Sequence, residues 1–212
     1  MAVMSPAVCP ATANAAERAV FAAVERWLGG DWTAWFQVPV PGRDPAPYPG
    51  APRRAPTPLR ADFILLGSTG LYVIEIKGWR AASVVDADDS TITFRNGARA
   101  QHPLVQAYRY AAGLAALLRA QPGVLAGTAI PVRYAAALPY VHAADLAGRP
   151  WAAALTGPRL LLAADFGLAL PTRLATLLPP GEPLPAAQQA ALARLLTRPE
   201  AAPPPVAPRL FD

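Results

Sequence analysis

Residues 60–77, RADFILLGSTGLYVIEIK, constrain the fold of this chain more than any other segment. Two apolar runs, 60–66 and 71–77, flank the tetrapeptide GSTG, and such runs separated by a short glycine-containing turn predict a β-hairpin. Each run contains one carboxylate, Asp62 in the first and Glu75 in the second. The sequence therefore predicts two adjacent antiparallel strands with an acidic residue inside each.

Helical and strand-like segments surround this hairpin. Helices are predicted where apolar residues recur with a period near 3.6, and strands where short apolar runs are bounded by turn residues. The predicted helices are 13–28, 103–119, 172–178 and 185–197, and the predicted strands are 32–40, 60–66, 71–77, 82–86, 91–95, 130–138 and 159–164. Residues 142–149 are predicted to contain a helical turn. This order predicts an α/β fold in which helices flank a mixed β-sheet, with a core order α-β-β-β-α-β and further helices at the C-terminus.

The length of 212 residues suits one domain with appendages. We expect a flexible N-terminus over residues 1–12 and a domain over 13–180, interrupted by a Pro-rich loop at 41–58. A C-terminal helix is expected within 181–198, and a flexible Pro-rich tail over 199–212.

The amino-acid composition restricts the location, the kind of metal site and the kind of partner that can be expected. The single cysteine cannot form an internal disulfide, so a reducing, cytoplasmic location is expected. Two histidines and one cysteine are too few for a structural zinc site, but a hard cation held by carboxylates stays open. The apolar start lacks a basic segment and no apolar run is long enough to span a bilayer, so neither a signal peptide nor a membrane span is predicted. The net charge of +5 fits a polyanionic partner or an arginine-rich coding background.

The two carboxylates of the hairpin are predicted to face each other. A turn centred on Ser68 and Thr69 places Asp62 directly opposite Glu75, with Cβ atoms about 5 Å apart. Two carboxylates at that distance repel each other. A shared proton, a basic neighbour or a divalent cation would relieve the repulsion, and a β-bulge would instead move Asp62 out of line.

Lys77 is the only lysine among the nineteen basic residues of the chain. It follows Glu75 by two residues and is predicted to share its face of the strand. Lysine is a compact point charge that can take part in proton transfer, whereas arginine stays protonated and brings a wide planar fork. We interpret Lys77 as a group placed beside an attacking water; the alternative is one structural lysine that survived by chance.

Two helices carry further candidates. Glu17 falls in the middle of the apolar arc of helix 13–28, and a carboxylate on that side needs a partner or a function. Gln106 and Tyr110 lie four residues apart on helix 103–119 and are therefore neighbours on one face. They could meet a phosphate or a lysine; alternatively, Tyr110 belongs to the core and Gln106 to the solvent.

The two histidines are assigned no catalytic role. His102 precedes the proline that begins helix 103–119, where a capping or surface position is the preferred interpretation. His142 has no acidic or cysteine partner at ligand spacing.

Asp62, followed through a hairpin by Glu75-Ile76-Lys77, resembles the core of the PD-(D/E)xK nucleases, although Arg60-Ala61 stand where that motif has its proline. The AAERAVFAAVERWL, DFILLGSTGLYVIEIKGW and QHPLVQAYRYAAGLAALL segments more specifically resemble the nuclease-related domain, NERD, over roughly residues 14–140. The spacing of Gln106 and Tyr110 is similar to the QxxxY spacing of RecB-type nucleases. The resemblance implies a restriction-endonuclease-like fold.

The resemblance also implies site roles. Asp62 and Glu75 would hold Mg²⁺, with Mn²⁺ as a substitute, and the Ile76 carbonyl would be a third ligand. Glu17 would complete the shell of the ion or support a second one, and Lys77 would orient and help deprotonate the attacking water. Gln106 and Tyr110 would steady the site or the scissile phosphate.

The function expected from this set is metal-dependent hydrolysis of phosphodiester bonds in DNA. Arg53, Arg54 and Arg60, near the approach to the hairpin, are candidate contacts to the nucleic-acid backbone, or else part of a solvated loop. By resemblance, a helicase or another nucleic-acid-processing protein is a plausible partner. One alternative is a module of the same fold that binds nucleic acid or a partner without cleaving. Another is an interaction protein that docks through its Pro-rich loop and tail.

Overall fold

The structure is a computed structural model and describes residues 1–43, 58–177 and 182–197. Arg53, Arg54, most of the predicted Pro-rich loop at 41–58 and the predicted tail at 199–212 lie outside these ranges.

The described residues form an α/β fold, as the sequence predicts. The strands are β1 Val3–Ser5, β2 Thr33–Arg43, β3 Pro58–Gly67, β4 Gly70–Ile76, β5 Val84–Ala87, β6 Thr91–Phe94, β7 Arg99–Gln101, β8 Val132–Leu138 and β9 Leu160–Leu162. The helices are α1 Ala15–Trp27, α2 Pro103–Arg119, α3 Ala143–Leu146, α4 Leu170–Leu177 and α5 Ala186–Thr197. Short 3₁₀ turns connect several of them.

Six strands form one mixed sheet in the order β1-β2-β3-β4-β8-β9. The central strands β2, β3 and β4 are antiparallel, whereas β8 runs parallel to β4 and β9 runs parallel to β8. Strands β5, β6 and β7 form a separate antiparallel sheet. The mixed sheet flanked by helices, with further helices at the C-terminus, confirms the predicted fold class.

The N-terminal segment contains a short strand that the sequence does not predict. Val3–Ser5 forms β1 and pairs in parallel with Thr33–Trp35 of β2. Three residues without a clear alternation give no local signal for a strand, and the hydrogen-bonding partner lies about thirty residues away along the chain. The strand therefore depends on a contact that the sequence pattern does not reveal.

Helices cover both faces of the large sheet. On one face, α1 and α4 pack against a core that includes Phe21, Phe63 and Ile74. On the other face, α2 and α5 pack against a core that includes Val73 and Leu114. Gly78 allows α1 to approach the chain that leaves β4, because a Cβ on Gly78 would lie only 3.2 Å from the Cβ of Ala16. The start of α1 therefore lies against the chain that leaves β4.

Candidate functional site

The register of the β3–β4 hairpin is the predicted one. Paired residues run from Gly67 with Gly70 to Phe63 with Ile74, which leaves Asp62 and Glu75 at the next facing position. The backbone ladder ends there. Beyond it, the Oδ2 atom of Asp62 accepts the backbone N–H of Ile76 at 2.7 Å. A side-chain carboxylate thus takes over a hydrogen bond that a strand carbonyl ordinarily accepts.

A local irregularity in β2 and β3 accompanies this arrangement. Gln37 and Asp62 occupy facing positions between the pairs Phe36–Phe63 and Val38–Ala61. The members of the first pair pack on the α1 side and those of the second pair on the α2 side. In a regular strand, residues two apart point to the same face, so both strands reverse their facing at Gln37 and Asp62. Gln37 has a φ of 53° and is the only non-glycine residue with positive φ in the described ranges.

Glu75 and Lys77 form the polar end of β4. The side chain of Glu75 is 2% exposed, that of Lys77 is 23% exposed, and their Oε1 and Nζ atoms are 2.5 Å apart. The other carboxylate oxygen of Glu75, Oε2, is buried without a hydrogen-bond partner among the described residues. A buried carboxylate oxygen in that condition carries a substantial desolvation cost.

Burial dominates the protonation of both acids. Burial, followed by the charge of Asp62, raises the pKa of Glu75 to about 8, although Lys77 acts in the opposite direction. Burial also raises the pKa of Asp62, against the N–H of Ile76 and the charge of Lys77, which lower it. Lys77 therefore supplies one of the three predicted means of relief, a basic neighbour, and the raised pKa of Glu75 favours a second, a proton on the pair.

Glu17 lies near Asp62 and also takes part in the cap of α1. It is half-buried in the first turn of α1, and its Oε2 atom accepts the backbone N–H of Asn14 at 2.8 Å. Asn14 in turn accepts the N–H of Glu17, which completes a capping box. The partner that the sequence argument required is thus the helix terminus. The negative charge of Glu17 still helps to raise the pKa of Asp62, although burial is the larger cause.

Gln106 and Tyr110 interact with each other on α2. The Nε2 atom of Gln106 donates to the Tyr110 hydroxyl at 2.6 Å. Tyr110 is 5% exposed and belongs to the core between α2 and the sheet, whereas Gln106 is half-buried. Tyr110 therefore lies in the core, which is one of the two positions considered for it. Gln106 is hydrogen-bonded to Tyr110 rather than fully solvated.

The remaining predicted residues have structural surroundings of their own. Arg60 is exposed, and one of its N–H groups donates to the carbonyl of Gln37 at 3.3 Å. His102 is 2% exposed and is the N-cap of α2, since its Nδ1 atom accepts the N–H of Leu104 and its Nε2 atom lies 2.9 Å from the carbonyl of Ala154. The capping role preferred for His102 is confirmed.

The donor set fits a hard cation bound by few protein ligands. No group of three or more His, Cys, Asp or Glu side chains within the described ranges is arranged to hold a metal ion. Mg²⁺ is commonly held by one or two carboxylates together with waters and substrate phosphate. The unpartnered Oε2 atom of Glu75, beside the carboxylate of Asp62, matches that requirement.

Sequence reasoning missed Gln37. Glutamine has no special preference for positive φ, unlike glycine or asparagine, so its position in β2 carries no local signal. The reversal of strand facing at Gln37 becomes visible only when β2 is paired with β3.

Comparison with known proteins gave a match to one family model. In the described part of the chain, no helix has the length and apolar character needed to cross a membrane. No curated protein and no solved structure matches the chain. The family model described as nuclease-related domain, NERD, matches residues 12–139, which is more than half of the chain and includes Asp62, Glu75 and Lys77. The chain therefore belongs to the nuclease-related domain family.

Proposed function

We propose that this protein is a Mg²⁺-dependent nuclease, also served by Mn²⁺, that hydrolyses phosphodiester bonds in DNA. The observation that carries the proposal is the buried carboxylate of Glu75, which has one oxygen on Lys77 and the other without a partner in the described part of the chain. Such a carboxylate is costly for a purely structural site, whereas a bound cation would coordinate its free oxygen.

Each side chain then has a defined task. Asp62 and Glu75 would bind the ion, together with the backbone carbonyl of Ile76 at the end of β4. The ion, when bound, would acidify a water and balance the negative charge that develops on the phosphoryl oxygens. Lys77 would orient that water and accept or relay its proton.

The remaining residues would position these groups. The Ile76 N–H keeps the Asp62 carboxylate at the end of the ladder, 2.7 Å away. The Gln106–Tyr110 pair would steady Lys77 or the scissile phosphate from the α2 side. Glu17 would act through its charge, because its carboxylate is engaged in the α1 cap.

Cleavage of linear and supercoiled DNA by the pure protein tests the proposal, with Mg²⁺, Mn²⁺ and EDTA compared. Lys77→Ala and Lys77→Arg are expected to reduce the rate at least roughly 100-fold, the usual lower range for losing a proton-transfer group. Arg119→Ala is the matched control, because Arg119 is an exposed base at the far end of α2. Folded wild-type protein that cuts under none of these conditions would favour the non-catalytic binding module instead.

A further inference from the structure

A cavity of about 390 Å³ opens next to the catalytic end of β4. Its polar lining consists of Arg80, Tyr140, His142 and Asp145. These residues come from the segments that follow β4 and β8, and sequence reasoning assigned a function to none of them.

Chain connectivity places this cavity beside the proposed nuclease centre. The N–H of Lys77 donates to the carbonyl of Ala137 at 3.0 Å, so β4 and β8 leave the sheet side by side. Arg80 follows Lys77 by three residues, a span of at most about 11 Å. Tyr140 follows Ala137 by the same number of residues. The carboxyl ends of parallel strands are a common place for ligand binding in α/β sheets.

The backbone on both sides of Arg80 is anchored. Trp79 packs edge-on against Phe94, with ring centroids 5.1 Å apart. Ala81, on the other side, is buried. Arg80 itself is exposed and lines the cavity, so its side chain projects from a backbone that is packed on both sides.

The cavity offers hydrogen-bond donors. Within the described ranges, the guanidinium of Arg80 has no hydrogen bond or ion pair of its own. The only acid in the lining, Asp145, accepts the backbone N–H of His142 at 3.0 Å and so is engaged in the start of α3. A guanidinium accompanied by an imidazole and a phenol suits an anion with several oxygens, and guanidinium binds phosphate through paired N–H groups.

We propose that this cavity binds a phosphate group of the nucleic acid adjacent to the phosphate that is hydrolysed, with Arg80 as its main ligand. This inference rests on the proposed nuclease function and adds the subsite that holds the substrate strand beyond the cleaved bond. Arg80 is at most about 11 Å from Lys77 along the chain, and one strand of a duplex carries a phosphate about every 3.4 Å along its axis, so the nearest phosphates of the same strand are within that span.

Fluorescence anisotropy in EDTA measures this subsite without cleavage. The probe is a short labelled DNA duplex, titrated over a range of NaCl concentrations. Arg80→Ala should weaken binding roughly tenfold, as expected for the loss of a charge-assisted hydrogen bond. It should also make the dependence of log K on log salt shallower by about 0.9, the contribution of one phosphate contact. Arg80→Lys should retain the salt slope because it keeps the charge.

Arg119→Ala serves as the control, since it removes the same charge from an exposed site about 13 Å or more beyond Tyr110 along α2. If Arg80→Ala and Arg119→Ala have the same affinity and the same salt slope, the inference is wrong. Probes with a 5′-phosphate or a 5′-hydroxyl identify the source of the anion. An Arg80 effect confined to the phosphorylated end assigns a terminal phosphate, and an equal effect on both assigns an internal one.

The two proposals fail separately. A wild-type protein that never cuts DNA defeats the nuclease proposal, but the binding comparison in EDTA does not depend on cutting. Conversely, an active nuclease in which Arg80→Ala binds DNA as well as wild type defeats the phosphate subsite alone.

Discussion

Gln37 and Asp62 face each other across β2 and β3, at the level where both strands reverse the face to which their side chains point. Gln37 adopts a φ of 53° there, and the carboxylate of Asp62 reaches the N–H of Ile76 on the next strand. Non-glycine residues at positive φ cost roughly 1–3 kcal/mol and concentrate at functional sites. We therefore treat the strain at Gln37 as part of how the site orients Asp62.

Replacing Gln37 tests this link. Gln37→Gly should stabilise the protein by about 1 kcal/mol, because glycine adopts positive φ without steric cost. Gln37→Val should destabilise it by about 1–2 kcal/mol, since a β-branched residue opposes that conformation. Urea unfolding measures both changes.

The same variants separate strain from function. Calorimetric titration with Mn²⁺ should show affinity retained in Gln37→Gly and weakened in Gln37→Val, because straightening β2 would displace Asp62. If folded Gln37→Val binds Mn²⁺ as tightly as wild type, the reversal of strand facing at Gln37 does not position the carboxylate of Asp62.

The parts that could be predicted from the sequence are those set by local chemistry. GSTG fixes the hairpin register, and His102 with Pro103 fixes the start of α2. The opposition of Asp62 and Glu75 followed directly from the turn. The apolar arc of α1 does not reveal the bond between the Glu17 carboxylate and the N–H of Asn14, but the capping-box spacing of Asn14 and Glu17 is a local signal for it.

The parts that could not be predicted depend on distant pairing. Strand β1 depends on its pairing with β2, and the reversal of strand facing at Gln37 depends on the pairing of β2 with β3. Arg80 and His142 are brought to one cavity because β4 and β8 are parallel neighbours. No periodicity in a single segment contains such information.

Gly70 is expected to be essential for the parallel pairing of β4 with β8. A Cβ at this position would lie 2.6 Å from the carbonyl oxygen of Pro131, a backbone atom that cannot move easily. Gly70→Ala should lower the free energy of unfolding by about 2 kcal/mol or more, through overpacking and a φ of 157°.

Gly167→Ala is the matched substitution, because a Cβ there meets no atom within 4 Å and its φ is not positive. Urea unfolding of both variants should show a change near zero for Gly167→Ala. A Gly70→Ala protein as stable as Gly167→Ala would contradict the close approach to Pro131.

The Gln106–Tyr110 hydrogen bond should act as a unit in cleavage. Tyr110→Phe removes the hydroxyl that accepts the Gln106 amide at 2.6 Å, and Gln106→Ala removes the donor. We expect each single variant to reduce the cleavage rate roughly tenfold and the double variant to lose little more, since residues in direct contact are coupled. A rate loss in the double variant equal to the product of the single losses would show that the two residues act independently.

Glu75 should make the metal-free protein less stable as the pH rises. Its pKa is raised to about 8 in the folded state, mainly by burial, from an ordinary value of 4.5. Between these values the folded protein holds a proton that the unfolded chain has lost, so the free energy of unfolding falls with pH through this window. Asp62 contributes in the same direction because its pKa is also raised by burial.

Urea unfolding in EDTA at several pH values from 5 to about 9 measures this dependence. Wild-type protein should lose roughly 2–5 kcal/mol across the range, an amount set by the size of the Glu75 shift. Glu75→Gln should match wild type near pH 5 and exceed its stability near pH 9, because the amide fills the same space without ionising. Parallel pH curves for the two proteins would show that the Glu75 carboxylate is not held protonated by its surroundings.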